Sequence, residues 1–286
     1  VFWHKAVDAA VIGNFMKSWA DVAKGGGFCS KELVWPEYNS RSMFPPSELI
    51  KSSTVAGFLK IGKASMNRYV FDAVSISELK LKSGERSSRV AAVSAVIWKC
   101  FMAASQEHGN DSSAIIHTVN LRPRAQPPFP NHSFGNFPGL AVSSAVNNHN
   151  IEVGSLTTMI RDSFDKIDGD YVKRMVGEDG AKGYFENMKI IWDGISEDDD
   201  DFLLFSSWCG FGFYDLDFGF GSPTWVTRCD DGNESKEDKY LNVVWLMDSK
   251  YDGGIEAWVI LEESYMIIFD KYMNSGEFNY KNPNPI

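Results

Sequence analysis

Two residues near the start of the chain, His4 and Asp8, have the spacing most readily turned to chemistry. An imidazole titrates near neutrality, so it can take a proton from a bound hydroxyl or amine and pass it on within one turnover. In His4-Lys5-Ala6-Val7-Asp8 the histidine follows an apolar run, Val1-Phe2-Trp3, and the aspartate opens a helical pattern. This predicts His4 in a strand-to-helix turn and Asp8 in the first helical turn, where the positive end of the helix dipole favours a carboxylate. An aspartate-rich chain also yields His-x-x-x-Asp by coincidence, so the pair alone leaves a structural role open. A metal is not indicated. His108, His117, His132 and His149 stand singly, and Cys29, Cys100, Cys209 and Cys229 form no Cys-x-x-Cys pair.

Three further stretches hold residues with chemical potential. Gly84-Glu85-Arg86-Ser87-Ser88-Arg89 precedes a helical pattern, so its hydroxyls, free N–H groups and two guanidiniums can hold a phosphate. The plainer alternative is an N-cap beside solvent-exposed arginines. Arg122 and Arg124 lie in a proline-rich path, and either would need a carboxylate partner if buried. The stretch Cys209–Gly221 packs four glycines and five aromatic rings into thirteen residues, which describes a bent, tightly packed chain reversal. Its Asp217-Phe218-Gly219 lacks the upstream loops of a kinase, and Gly210-x-Gly212 lacks the third glycine and helix of a dinucleotide site. No Gly-x-Ser-x-Gly elbow is present.

The elements that must position these residues follow from periodicity. Val11, Ile12, Phe15, Met16, Trp19 and Val22 predict a helix from Asp8 to about Lys24, stopped by Gly25-Gly26-Gly27. The stretch 28–65, with Pro36, Pro45 and Pro46, reads as a connector. Tyr69, Phe71 and Ala73 predict a strand, Ser75 to Glu78 a capping box into a short helix, and Ser88–Gln106 a strongly periodic helix. Ala114–Leu121 reads as a strand, followed by an extended path through Pro123, Pro127, Pro128 and Pro130. Beyond it come a strand at 140–146, helices over 151–176 and 180–192, a solvated acidic loop at Asp198–Asp201, and a buried strand at 202–208. Runs near 223–229, 240–247 and 255–260 predict two hairpins, and a helix near 262–273 follows. The interleaving gives a mixed α/β architecture without fixing strand order.

Composition narrows the function class. The chain has 286 residues, 44% hydrophobic, enough for one large domain or two medium ones. A net charge of −10 without Lys/Arg clusters argues against nucleic acid. No window approaches the roughly 18 apolar residues of a membrane span, and no signal-like start is visible. Scattered cysteines fit a reducing, cytoplasmic setting. The start at Val1-Phe2-Trp3, like the end of a buried strand, predicts that upstream sequence is absent.

Five ordered motifs resemble those of the plant BAHD acyltransferases: His4 to Ala9 (the HXXXD motif), Asn120 to Arg124, Ser133 to Asn136, Ser206-Ser207-Trp208, and Asp217 to Gly221 (a DFGWG-like motif). The likeness is greatest to the vinorine synthase-like branch of alkaloid and terpenoid O-acetyltransferases. The resemblance implies an α/β, two-domain chloramphenicol-acetyltransferase-like fold with mixed sheets, its first domain largely truncated. Residues 1–27 would be the remnant of that domain, 28–66 the crossover linker, and 67–286 the C-terminal acyltransferase domain, with the strand near 240–247 packing on the first domain. It further implies transfer of an acyl group, acetyl by branch likeness, from acyl-CoA to a hydroxyl of a plant specialised metabolite, with no covalent intermediate. His4 would be the general base, Asp8 and Arg122 a structural pair, and Ser87 and Ser88 contacts to CoA. Asp217, Phe218, Gly219, Phe220 and Gly221 would form a structural loop away from the substrates. No permanently bound cofactor, metal, nucleic acid or membrane is implied; the partners would be acyl-CoA and a small alcohol or amine, and the full-length protein a monomer. Two departures stand out. Phe220 occupies the place of the family's Trp, which keeps an aromatic plug but loses the indole N–H. The long stretch that family members carry before the histidine is absent, which leaves a second reading open: a truncated, inactive relative that at most binds CoA or a partner.

Overall fold

The computed structural model describes residues 2–4, 6–26, 35–47, 58–84, 87–148, 150–193, 200–227, 239–250 and 253–281. In chain order these form helix α1 (Ala9–Asp21), short helix α2 (Ser40–Met43), strands β1 (Lys60–Ile61) and β2 (Ala64–Phe71), and helices α3 (Ala73–Ser83) and α4 (Arg89–Glu107). Next come strands β3 (Ser112–Asn120) and β4 (Pro138–Val146) and helices α5 (Val153–Asp165), α6 (Gly169–Met175) and α7 (Gly180–Asp193). Strands β5 (Asp200–Ser207), β6 (Lys239–Tyr240), β7 (Val243–Asp248) and β8 (Ile255–Glu262) precede helix α8 (Glu263–Met273). Six strands make one mixed sheet in the order β2-β8-β7-β5-β3-β4, and β1 pairs with β6 separately.

Strand β5 runs parallel to both its neighbours, β3 and β7, while the remaining pairs of the sheet are antiparallel. A strand covered on both faces must be apolar on both, as Phe202-Leu203-Leu204-Phe205 is. Alternation then sorts the side chains. Ile115, Leu203 and Phe205 join Trp98 and Phe101 of α4 and Phe269 of α8 in the largest core. Ala114, Ile116 and Phe202 face the other way, against Met188 and Ile191 of α7. Helix α4 is buried from Ala91 to Ser105 apart from Lys99, the pattern of a helix at the centre of a layered domain. Its Trp98 indole N–H donates to Ser113 Oγ at 3.1 Å.

Several elements differ from expectation for identifiable reasons. Strand β2 starts at Ala64, inside the stretch read as a connector, because it finds a full-length antiparallel partner in β8. The cap of α3 is Asp72, whose carboxylate accepts from Ser75 N at 2.9 Å, so Ser75 lies within the helix and the expected capping box is not used. Arg122–Arg124 winds into a 3₁₀ turn, where Pro123 fits because a residue of the first turn needs no N–H. The pattern over 151–176 divides into α5 and α6, with Asp168 capping the second. Phe2 and Trp3 are exposed and form no strand.

The acidic run is the sharpest correction. Asp201 is not in a solvated loop but lies within β5, 6% exposed. Lys60 Nζ meets its Oδ1 at 2.9 Å, and Ser105 Oγ, Asn110 Nδ2 and Tyr265 OH donate to its Oδ2 at 2.9, 2.8 and 2.5 Å. Four donors replace the water a buried carboxylate gives up. Residues 223–227 likewise form no strand. Trp225 instead stacks on Trp258 at 5.8 Å and donates to Glu256 Oε2 at 3.2 Å, while 228–238 lie outside the described residues. The hairpin of β7 and β8 does form, turning through Gly253 at φ +74°, and β7 sits inside the large sheet between β5 and β8.

Candidate active site

His4 lies on a tight turn in which Ala6 N donates to Trp3 O at 2.8 Å, and its side chain is exposed. Asp8 is the N-cap of α1, with extended backbone and Oδ1 accepting from Val11 N at 3.1 Å. Its other oxygen accepts from Arg122 Nη1 at 2.7 Å and from Phe137 N at 2.9 Å. With three donors the carboxylate is satisfied, so its part here is to start the helix and anchor its neighbours.

Arg122 is 0% exposed and fully engaged. Beyond Asp8, it donates from Nη2 to Ser133 O at 2.9 Å and Gly135 O at 3.1 Å, from Nε to Ser133 O at 3.2 Å, and from Nη1 to Asn120 Oδ1 at 3.2 Å. The guanidinium also lies over the Phe137 ring, 4.6 Å from its centre. A buried cation needs such a complete set of partners. His4, Asp8 and Arg122 are thus drawn to one place, with residues 133–137 wrapped around them. Asn136 closes the group: its Nδ2 donates to His4 O at 2.9 Å and lies 3.5 Å from Nδ1 of the ring. Sequence reasoning marks Ser133 to Asn136 only as a motif; the signal it carries is one amide side chain beside a glycine.

Ser87 and Ser88 belong to a second group, at the start of α4. Ser88 is the N-cap and accepts from Ala91 N at 3.1 Å, while the buried Ser87 donates to Ser88 O at 3.3 Å. Arg89 is not free for an anion here. It donates to Gly253 O at 2.7 Å and pairs with Asp248 at 3.1 Å, and the second oxygen of Asp248 accepts from Gly210 N at 2.6 Å. Glu85 and Arg86 lie outside the described residues, as do Lys5, Cys29, His149 and Cys229. Arg124 donates to Phe164 O and Ile167 O rather than to a carboxylate.

The glycine-aromatic stretch docks on α1. Asp217 Oδ1 accepts from Gly219 N at 2.8 Å and Gly221 N at 2.9 Å, and Oδ2 meets Lys24 Nζ at 2.5 Å. The Lys24 hydrogen bond first, then the two amides, hold this carboxyl down to about 2. Phe218 meets Trp19 edge-on at 5.3 Å, and a Cβ on Gly13 would sit 3.3 Å from that of Phe211, so α1 and the loop approach closely. Phe220 is 88% exposed and touches this assembly through its stack on Phe218, so the expected aromatic plug does not form.

Other nucleophiles in view are quiet. Burial raises the Cys209 thiol to about 12 and pushes Cys100 above its ordinary range. Among the described residues no cluster of His, Cys, Asp and Glu is suited to a metal, and no helix is long and apolar enough to cross a membrane.

A model of the family described as Transferase family matches residues 1–275. The chain is 31% identical over 294 residues to a Melia azedarach protein named epi-neemfruitin B 7-O-acetyltransferase, covering 99% of this chain and 64% of that protein. Among solved structures, that of vinorine synthase is similar, with a TM-score of 0.72 and 26% identity over 93% of this chain and 59% of that one. The F. graminearum protein TRI101, complexed with coenzyme A and T-2 mycotoxin, has a TM-score of 0.71 at 19% identity over 96% of this chain and 64% of that one, a likeness of fold alone. The chain spans less than two thirds of the length of each of these proteins.

Proposed function

Because the chain belongs to the Transferase family that includes the plant BAHD acyltransferases, we propose that it takes part in acyl-CoA-dependent O-acylation of a plant specialised metabolite, with His4 as general base. In this reaction a nitrogen of the His4 imidazole accepts the proton of the acceptor hydroxyl as its oxygen attacks the thioester carbonyl carbon. The tetrahedral intermediate collapses, the C–S bond breaks, and the thiolate of coenzyme A leaves, able to take up the proton from the imidazolium. No acyl group passes through the protein, in keeping with the raised thiols of Cys100 and Cys209.

The observation that carries this reading is the exposed imidazole of His4 on a turn braced by Asn136, next to a helix capped by Asp8 and a buried Arg122. Acetyl as the acyl group is supported by the name of the Melia azedarach relative, and coenzyme A by the TRI101 complex that contains it. Ser87 and Ser88, at the start of the long helix α4, are proposed as contacts to CoA phosphates. The same reading has the protein in the cytoplasm, monomeric when full length.

The test is thiol release from acetyl-CoA with a panel of plant alcohols, comparing the chain with His4→Ala. Turnover is expected to fall by about 10²- to 10⁴-fold in the variant; undiminished turnover overturns the role of His4. In a second reading this chain binds CoA or a partner without catalysing. A groove of about 600 Å³ along α1, lined by Phe2, Val11, Phe15, Trp19, Trp35 and Phe134 among others, stands open beside His4's turn. Binding of CoA by calorimetry without thiol release would select that reading.

A further inference from the structure

The Arg122–Asp8 pair fixes a segment that in turn holds His4. Arg122 grips the carbonyls of Ser133 and Gly135, and Asp8 accepts from the N–H of Phe137, so anchors lie on both sides of Asn136. Gly135 has no space for a side chain: a Cβ there would fall 2.5 Å from the Phe137 ring and 2.9 Å from Ser40 Cβ. The backbone that aims Asn136 is therefore tightly set. Its Nδ2 donates to the His4 carbonyl at 2.9 Å and approaches Nδ1 of the ring to 3.5 Å, while its Oδ1 is buried with no hydrogen-bond partner among the described residues. Leaving that oxygen unpaired costs free energy, so the orientation is held by what Nδ2 gains.

We propose that Asn136 is a positioning residue for His4, its side-chain amide locking the turn that carries the imidazole. The proposal rests on the reading of His4 as general base. A base on a free turn spends little time aligned with the acceptor hydroxyl, and a misplacement of about 1 Å costs on the order of 10²-fold in rate. A neutral amide suits this role because it donates to a carbonyl at any working pH. Asp8 acts one step further back, through its hydrogen bonds to Phe137 N and Arg122.

The full chain labelled with ¹⁵N-histidine tests this with Asn136→Ala and the isosteric Asn136→Asp, which places an acceptor against the His4 carbonyl. The ring signals of His4, assigned with His4→Gln, are expected to shift toward those of a free imidazole in both variants, with the other histidines and Tm unchanged. In acetyl-CoA turnover kcat is expected to fall about 10- to 100-fold with KM for acetyl-CoA within about twofold. Should Asn136→Ala fail to fold, the Asp variant carries the comparison. Unchanged His4 signals, or shifted signals with kcat intact, overturn the proposal. Shifted signals in a chain whose wild type shows no turnover leave the positioning of His4 standing and overturn the acyl-transfer reading instead.

Discussion

At the scale of single residues, Asp8 and Arg122 illustrate what can be read in advance. Arg122 sits in a rigid proline-rich path, and a cation there demands a carboxylate if buried; family likeness points to Asp8, and the two lie 2.7 Å apart. The carbonyls of Ser133 and Gly135 cannot be foreseen, because backbone acceptors carry no sequence signal. His117 is likewise, in the sequence, only one of several single histidines. It is 3% exposed on β3, stacked on Phe205 at 4.5 Å, with Nε2 3.0 Å from Ser94 Oγ and Nδ1 unpartnered among the described residues. Burial lowers its pKa to about 3 from an ordinary 6.5. The unfolded chain therefore binds this proton below pH 6.5 while the folded chain refuses it. Stability is full above that pH and falls between about 6.5 and 3, at a limiting slope of about 1.4 kcal/mol per pH unit. Urea unfolding across this range is expected to show the fall, and His117→Phe is expected to flatten it. An equal pH dependence in the variant would assign the loss to other groups.

At the scale of elements, the start of α4 makes a separable prediction. Ser88 caps the helix, so Ser88→Ala is expected to cost about 1 kcal/mol in urea unfolding, whereas Ser88→Gly costs only about a few tenths. If the hydroxyl also contacts a CoA phosphate, KM for acetyl-CoA rises in both variants alike; a KM that follows stability alone confines Ser88 to the cap. The helix itself is legible because an apolar run from Val93 to Phe101 repeats with helical period. Less is legible where a distant partner decides the outcome. Asp72 rather than Ser75 caps α3, a choice between two competent caps that differ by one turn. Residues 223–227 have strand-like composition, yet Trp225 is held by its stack on Trp258 and its hydrogen bond to Glu256, both far away in the chain. The Asp217 loop, expected only as a structural loop, bridges to α1 through Lys24 and Trp19, partners that no local pattern announces.

At the scale of the molecule, aromatic side chains run along one side of α1. Phe2 meets Phe15 at 5.5 Å, Phe15 meets Trp19 at 6.0 Å, and Trp19 meets Phe218 at 5.3 Å, with Trp35 68% exposed across the groove. A face of this kind is expected to bind a hydrophobic dye strongly, and Phe15→Ser with Trp35→Ser to roughly halve the emission. Each surface substitution should change stability by about 0.5 kcal/mol or less; dye emission indifferent to both would mean that the groove is closed in solution. The six-stranded sheet raises a different question, since Phe202-Leu203-Leu204-Phe205 is apolar on both faces and has almost nothing in its pattern to stop it sliding along β3 and β7. Asp201 supplies that stop. In one alignment Lys60, Ser105, Asn110 and Tyr265 converge on it. Slipped inward, the carboxylate would enter the core without them, and slipped outward it would leave Lys60, Ser105 and Asn110 facing an apolar side chain, so the charge that looked like surface decoration selects the register of the central strand.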